Sequence, residues 1–457
     1  MNRCVERKIM EGKSMTEGTP WKHILKFVFP VLAGSLLQQL YSTVDTIIVG
    51  NFSGEAALSA VGTTGSFIFM FLAVATGFSA GNGVVVAQCY GAGDQKQVKE
   101  NASTGILLLF GMGVLLTLVG ILISRPAYTY FIAVPEEILE LTLLYFRVYA
   151  LGLVFQFGYN IIAAILRAVG DSAATLYFLL IASAANIALD LLFVAGFQWG
   201  VLGAALATDI AQAGSLAAAW FYMTRKYAVF SFGRKDFTWD FSLAKKTLAT
   251  GLPIASQLII VSVGLTLIQR AVNAFGQSMI ASFTVGNRIE QYINLPCNAF
   301  QTTLATYTGQ NIGAGKPERV KKGARQAVAI SLTMTLCISV LLWLSADMII
   351  QMFGIGKEAA VYCRAHLRAL ALINLVLSSY IPLFGVFQGT NHAALPMVTA
   401  TCALSTRVAV TYLFRYSPFL GHTIIWWNGI FGFGVGFVIT WSYYLSGRWA
   451  RNVTEPQ

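Results

Sequence analysis

The chain has 457 residues, of which 56% are hydrophobic and 11% charged, with a formal charge of +11. Soluble domains carry about 25% charged residues, so this composition excludes a chain that hides its apolar surface inside one water-facing globule. The positive balance does not point to nucleic acid, because Lys and Arg fall mostly in short segments between apolar runs, which is a topology signal.

The opening segment, 1–24, is polar and basic and has no apolar core followed by a small-residue cleavage site, so it reads as a cytoplasmic N-terminal segment rather than a cleaved leader. Apolar runs long enough to cross about 30 Å of hydrocarbon as helices then recur. They lie near 25–49, 59–87, 102–123, 143–165, 174–194, 201–223, 247–275, 279–308, 326–346, 361–387, 395–414 and 424–446. The expectation is an all-α integral membrane protein with about twelve transmembrane helices in two pseudo-symmetric six-helix lobes around a central cavity. Residues 25–223 form the N-lobe, 224–246 a cytoplasmic inter-lobe linker, 247–446 the C-lobe and 447–457 a cytoplasmic tail.

With the N-terminus inside, the inner segments collect Arg3, Arg7, Lys8, Lys13, Lys22 and Lys26, then Lys96 and Lys99, then the basic residues of 225–246, then Lys316 to Arg325, then Arg448 and Arg451. The opposite loops hold little beyond Arg125, Lys357, Arg364, Arg368 and Arg415. The positive-inside rule therefore places both termini in the cytoplasm of a multi-pass protein of the cell membrane.

The two halves repeat one another. AQCYGAGDQKQVKE (87–100) faces GQNIGAGKPERVKK (309–322), and FVFPVLAGSLLQQL (27–40) faces ATGLPIASQLIIVS (249–262) with Pro30 against Pro253. LRAVGDSAATLYF (166–178) faces FQGTNHAALPMVT (387–399) in the same way. Six spans per half give both copies the same orientation, which implies a two-fold axis along the membrane normal and a substrate cavity between the halves. The Gly-Ala-Gly turns lack the strand–loop–helix context of a phosphate loop and read as helix-ending turns. Pro30 and Pro253 release backbone carbonyls within their spans and serve equally as hinges or as fixed kinks.

Ionisable groups at membrane depth cost about 2.5–3.5 kcal/mol on insertion scales, so each calls for a partner, a cavity or a function. The N-lobe offers Asp45, Asp190 with Asn186 one turn before it, and Thr208 followed by Asp209. Converging carboxylates, an amide and a hydroxyl would suit a hard cation, and a desolvated carboxylate pair would suit a proton. The competing reading makes Asp45 and Asp190 helix-end residues capped by water. In the C-lobe the positions matching Asn186 and Asp190 are Arg407 and Thr411. Its deep ionisable residues are Arg270, Arg288 and Glu290, and Arg270 with Glu290 is the expected ion pair. The six cysteines and four histidines show no metal-ligand spacing, and no hydrolase, kinase or dinucleotide motif stands in its required context, so no enzymatic activity and no cofactor are expected.

Taken together, the Pro-containing first span ending in VDTIIVG, the AQCYGAGD, GQNIGAGKPERV, LRAVGD and FQGTN turns, NIALDLLF and GNRIEQY resemble the multidrug and toxic compound extrusion (MATE) transporters, over about Thr19 to Arg448. The resemblance is to the DinF-like branch. It implies a twelve-helix antiporter working by alternating access, with the family's N-lobe cation site on Asp45, Asn186, Asp190 and Thr208. The NorM-like branch instead uses C-lobe carboxylates, one of them where this chain has Val261.

The expected function is secondary active multidrug efflux, exchanging organic cations or amphipathic drugs for H+ or Na+. The coupling ion, Na+ included, would sit at Asp45, Asn186, Asp190 and Thr208. The substrate cavity would draw on Gln38, Tyr41, Met70, Tyr159, Asp209, Gln257, Arg270, Met279, Phe283, Glu290 and Tyr292, with Pro30 and Pro253 as hinges. The partners are small molecules and membrane lipids, not nucleic acid, and a monomer suffices. A flippase for a lipid or lipid-linked saccharide is the alternative, with Arg270, Arg288 and Arg407 available for phosphate. A passive channel fits less well, since it needs a continuous pore lined by polar rings and the polar residues here are sparse and asymmetric.

Overall fold

The computed structural model describes residues 12–451. Arg3, Arg7 and Lys8 of the expected basic N-terminal segment, and the end of the tail beyond 451, lie outside the described residues.

Long apolar runs fold as long helices, and the described residues contain helices but no strands. They are α1 (Pro20–Gly91), α2 (Gln95–Pro126), α3 (Glu136–Leu151), α4 (Leu153–Ala168), α5 (Ser172–Asp190), α6 (Gly200–Lys226), α7 (Phe241–Asn273), α8 (Gln277–Gly313), α9 (Pro317–Phe353), α10 (Lys357–Gly389), α11 (Ala394–Phe414), α12 (Ile424–Leu445) and the short α13 (Arg448–Arg451). By length and composition, nine of them are able to cross a membrane, or ten when α3 and α4 count as one span bent by 44°. At 72 residues α1 is far too long for one pass, and its helical path breaks at Gly54, where φ is 82° and ψ 179°. The break divides α1 into two passes. α8 is long enough at 37 residues but too polar by composition, because its Gln, Asn and Thr side chains turn into the protein, largely against α10. Adding it gives the twelve membrane segments that the apolar runs anticipate.

The chain separates into two compact units. One holds residues 12–14 and Phe29–Ala255, the other Met15–Val28 and residues 256–451. In the first, α2 and α6 flank α4, and α5 lies along α6. Its core is aromatic at one end, where Phe67, Phe71, Tyr128 and Phe146 pack in edge-to-face and tilted pairs with centroids 5.0–6.0 Å apart. Small residues set a second seam: a Cβ at Gly77 would run into Ala255, and one at Gly81 into the backbone of Gly251, so α1 and α7 approach backbone to backbone. In the other unit α10 is the central helix, packed on α8, α9 and α12, while α11 lies against α12.

The segment between α6 and α7 is anchored by side-chain contacts. α6 runs to Lys226 and α7 starts at Phe241, and between them Phe232 and Phe237 stack on Trp220. Lys99 pairs with Asp236 at 2.8 Å, and Thr238 N–H donates to Ser103 Oγ at 3.1 Å. That ion pair holds the Asp236 carboxyl below its ordinary value.

The two repeated Gly-Ala-Gly turns carry different loads. In the first unit Asp94 caps α2 through Gln97 N–H at 2.9 Å. In the second, the start of α9 grips the segment before α1: Arg319 donates to the carbonyls of Met15, Glu17 and Gly18 at 3.1, 3.0 and 2.8 Å. Gln310 Oε1 accepts Met15 N–H at 2.8 Å, and Lys316 reaches Thr16 O at 3.1 Å.

Candidate functional site

Asp171 caps the start of α5, and the helix then runs without Gly or Pro through SAATLYFLLIASAANIALD. Asn186 and Asp190, four residues apart, therefore share a face. Directly after Asp190 the helix widens into a π-helical stretch, Leu191–Gly196, an irregularity that helices often carry at functional positions. Asp190 has no solvent exposure, and neither of its carboxyl oxygens receives an N–H or O–H donor among the described residues.

The group that faces it is Asp45 of α1, half-buried, whose carboxyl lies within hydrogen-bonding reach of Asp190. Oδ1 of Asp45 likewise takes no donor among the described residues. Two carboxylates so placed, with no guanidinium or ammonium paired to them among the described residues, repel unless a proton or a cation lies between them. Asn186 Nδ2 donates to Thr208 Oγ1 at 3.4 Å, and Thr208 Oγ1 donates to Ala204 O at 3.1 Å. Asn186 Oδ1 is buried without a donor among the described residues. Beside these groups is a cavity of ≈ 10 Å³, room for about one water molecule, lined by Tyr41, Ser183, Asn186, Thr208 and Gln212 with Leu179, Ala182 and Ala211. No group of three or more His, Cys, Asp or Glu converges among the described residues, so any cation here would be held by mixed carboxyl, amide and hydroxyl oxygens.

Asp209 turns away from this group although it follows Thr208 directly. Its carboxyl fills the space at Gly152, where α3 meets α4, and a Cβ at Gly152 would overlap it. Oδ1 of Asp209 is buried without a donor among the described residues. Tyr145 and Tyr149, absent from the sequence-based set, bring phenols within electrostatic range of Asp45, and Tyr149 OH accepts from Gln156 Nε2 at 2.7 Å. Their four-residue spacing on α3 was the available signal.

The remaining expected cavity residues scatter. Gln38 and Met70 are exposed, Tyr41 and Tyr159 half-buried, and Tyr159 OH donates to Thr175 O at 3.3 Å. In the second unit Gln257 is buried with its Oε1 lacking a donor, and Glu290 and Tyr292 are half-buried. Met279 and Phe283 are buried, Phe283 stacked on His366 at 5.5 Å; both pack inside the unit rather than lining open space. The expected Arg270–Glu290 pair does not form. Arg270 occupies the last turn of α7 and is exposed, whereas Glu290 lies within electrostatic range of Arg407. Both α1 and α7 stay helical through Pro30 and Pro253.

A bundle of long apolar helices, most of them long enough to cross a membrane, defines a polytopic membrane protein. The chain belongs to the MatE family, whose profile matches residues 30–192 and 253–413. It is 28% identical to a probable multidrug resistance protein YpnP of Bacillus subtilis, over 96% of this chain and 98% of that one. It is 24% identical to a probable multidrug resistance protein NorM of Thermotoga maritima, over 94% and 93%. The fold matches a MOP superfamily transporter from Pyrococcus furiosus with a TM-score of 0.89 at 23% identity, covering 97% of this chain and 98% of that one.

Proposed function

We propose that this protein is a secondary active multidrug exporter of the cell membrane that exchanges organic cations or amphipathic drugs for H+ or Na+ by alternating access. The observation that carries the reading is the Asp45–Asp190 carboxyl pair, with Asp190 fully buried in a helical membrane protein of the MatE family and no cation paired to either carboxyl among the described residues. That its relatives are named as multidrug resistance proteins supports the choice of cargo.

In this reading Asp45 and Asp190 take up the coupling ion, and Asn186 and Thr208 supply further oxygens if it is Na+. Binding of that ion removes the repulsion between the carboxyls and draws α1 toward α5, with Pro30 and Pro253 as the points where α1 and α7 flex. Drug and ion need only favour different states for each to drive the other. One charge moving down about 100 mV yields about 2.3 kcal/mol, or roughly 50-fold accumulation, so one coupled ion suffices. Gln38, Tyr41, Met70, Tyr159, Gln257, Glu290 and Tyr292 are the exposed, half-buried or donor-lacking residues available to the drug, and both termini face the cytoplasm. A single chain performs the cycle.

The test is transport of a fluorescent organic cation into proteoliposomes under an imposed pH gradient, and separately a sodium gradient, for wild type, Asp45→Asn and Asp190→Asn. One gradient should drive accumulation, and either substitution should abolish it in a folded protein. Variants that transport like wild type would make the pair structural and favour the lipid flippase.

A further inference from the structure

The motif repeat places Arg407 of α11 where the first unit has Asn186. One half thus gathers oxygens suited to a cation, and the other carries a cation of its own. Arg407 is 8% exposed, and none of the ion pairs among the described residues includes it. Its Nε donates to Asn428 Oδ1 of α12 at 2.8 Å, and the guanidinium lies over the Phe433 ring, 4.9 Å from its centroid.

The remaining four N–H donors, on the two terminal nitrogens, meet no acceptor among the described residues, yet those nitrogens are not sealed into the interior. The setting is built for the side chain: a Cβ at Gly432 would collide with its stem, so α12 leaves a groove for it. Glu290 of α8 and Tyr380 of α10 are within electrostatic range without making an ion pair. An aromatic stack of Phe283, His366 and Trp426 belongs to the same unit, with neighbouring centroids 5.5 and 5.9 Å apart.

A guanidinium seated on an aromatic face with its fork unoccupied matches a planar two-oxygen acceptor. We propose that Arg407, with Asn428 orienting it and Phe433 supporting it, forms a binding site in the second unit for the carboxylate or phosphate of an aromatic or apolar organic anion. Glu290 competes with that ligand for the guanidinium. Only the step from bound anion to exported cargo rests on the export reading; the binding does not.

The test is fluorescence anisotropy of fluorescein, an aromatic dye carrying a carboxylate, titrated with the purified full-length protein in uncharged detergent, alongside ethidium, an aromatic cation. Wild type should bind fluorescein, Arg407→Gln should weaken it about 10–100-fold, and Arg407→Lys should fall between, since an ammonium lacks the fork. Ethidium binding should not weaken in Arg407→Gln. Glu290→Gln leaves Arg407 in place and should tighten fluorescein binding, which keeps the question open to decision if the Arg407 variants fail to fold. Asp45→Asn should bind fluorescein like wild type even where it no longer transports, separating this site from the coupling site. Added phosphatidylglycerol that displaces the dye from wild type, where phosphatidylcholine does not, would identify a lipid phosphate as an occupant; no displacement would assign the site to soluble anions. Unchanged fluorescein affinity in Arg407→Gln, or unchanged or weaker affinity in Glu290→Gln, would overturn the proposal.

Discussion

Asp171 gathers more donors than any other carboxylate in the first unit, and replacing it by Asn tests how such a knot holds the end of a membrane bundle. Its Oδ2 accepts from Lys226 Nζ at 2.7 Å, Tyr227 OH at 2.7 Å and Tyr222 OH at 2.9 Å, while Oδ1 accepts the Ala174 N–H at 3.4 Å. Lys226 also donates to Tyr222 OH. The Asn side chain keeps the size and one oxygen, but its NH2 group turns a donor toward three donors. A hydrogen bond to a charged group is worth about 1.5–3 kcal/mol. Lys226 is 21% exposed and can recover water, whereas the Tyr227 phenol is buried and cannot. The net loss is therefore about 3 kcal/mol, and thermal unfolding in detergent should show a midpoint lower by ~5 °C. A Lys226→Met change in the same background should cost less than it does alone, by about 1–2 kcal/mol of coupling.

The acid limit of this effect has a definite sign. Burial alone would push the Asp171 carboxyl up, and the hydrogen bonds from Lys226, Tyr227 and Tyr222 outweigh it, holding the group below its ordinary 3.8. A carboxyl that binds its proton more weakly folded than unfolded stabilises the protein above the ordinary carboxylate range and loses that contribution as pH falls through the depressed value. The gap between wild type and Asp171→Asn should stay flat from about pH 8 to 5 and close only below about pH 4. A midpoint unchanged within about a degree, or a gap that closes near neutrality, would refute the assignment.

Other substitutions separate strain from packing. Gly54→Ala places a Cβ at φ 82° with no heavy atom within 4 Å, so its cost of about 1–2 kcal/mol would be backbone strain alone; Gly62→Ala, equally open but inside the helix, should be neutral or stabilising. Paired melting curves decide it. Gly152→Ala should destabilise through overlap with Asp209, and Gly152→Ala with Asp209→Ala should be more stable than Gly152→Ala alone, despite two changes. Arg319→Ala removes the donors that hold Met15, Glu17 and Gly18, so limited proteolysis should cut near residues 15–18 faster while the rest of the pattern is unchanged.

Much of the first unit's candidate site was legible as a grouping because polar residues are scarce in apolar spans: Asp45, Asn186, Asp190 and Thr208 stood out by rarity, and helical spacing placed Asn186 and Asp190 on one face. Asp209 shows the limit of that reasoning. Adjacent residues on a helix point about 100° apart, and only the bend at Gly152 reveals where its carboxyl goes. The second unit was harder, since depth along a span is uncertain by a turn. Arg270 read as deep and proved to be terminal, leaving Glu290 to Arg407. The fourth span read as one run because leucine and phenylalanine continue across the bend. Contacts between distant segments, such as Lys99 with Asp236, leave no periodic trace and emerge only from the fold.

The clasp on the start of the chain has a consequence in time. Met15 and the Arg319 guanidinium that holds its carbonyl are 304 residues apart. At synthesis rates of about 5–20 residues per second, roughly 15 to 60 seconds pass between the appearance of the two. Throughout that interval the carbonyls of Met15, Glu17 and Gly18 wait for donors that have not been made. The last of them arrive only when the ninth helix begins, so a segment made some 300 residues earlier is secured late. A nascent chain that stalls before Arg319 lacks the donors for those three carbonyls, and one that passes it supplies them from its own later residues.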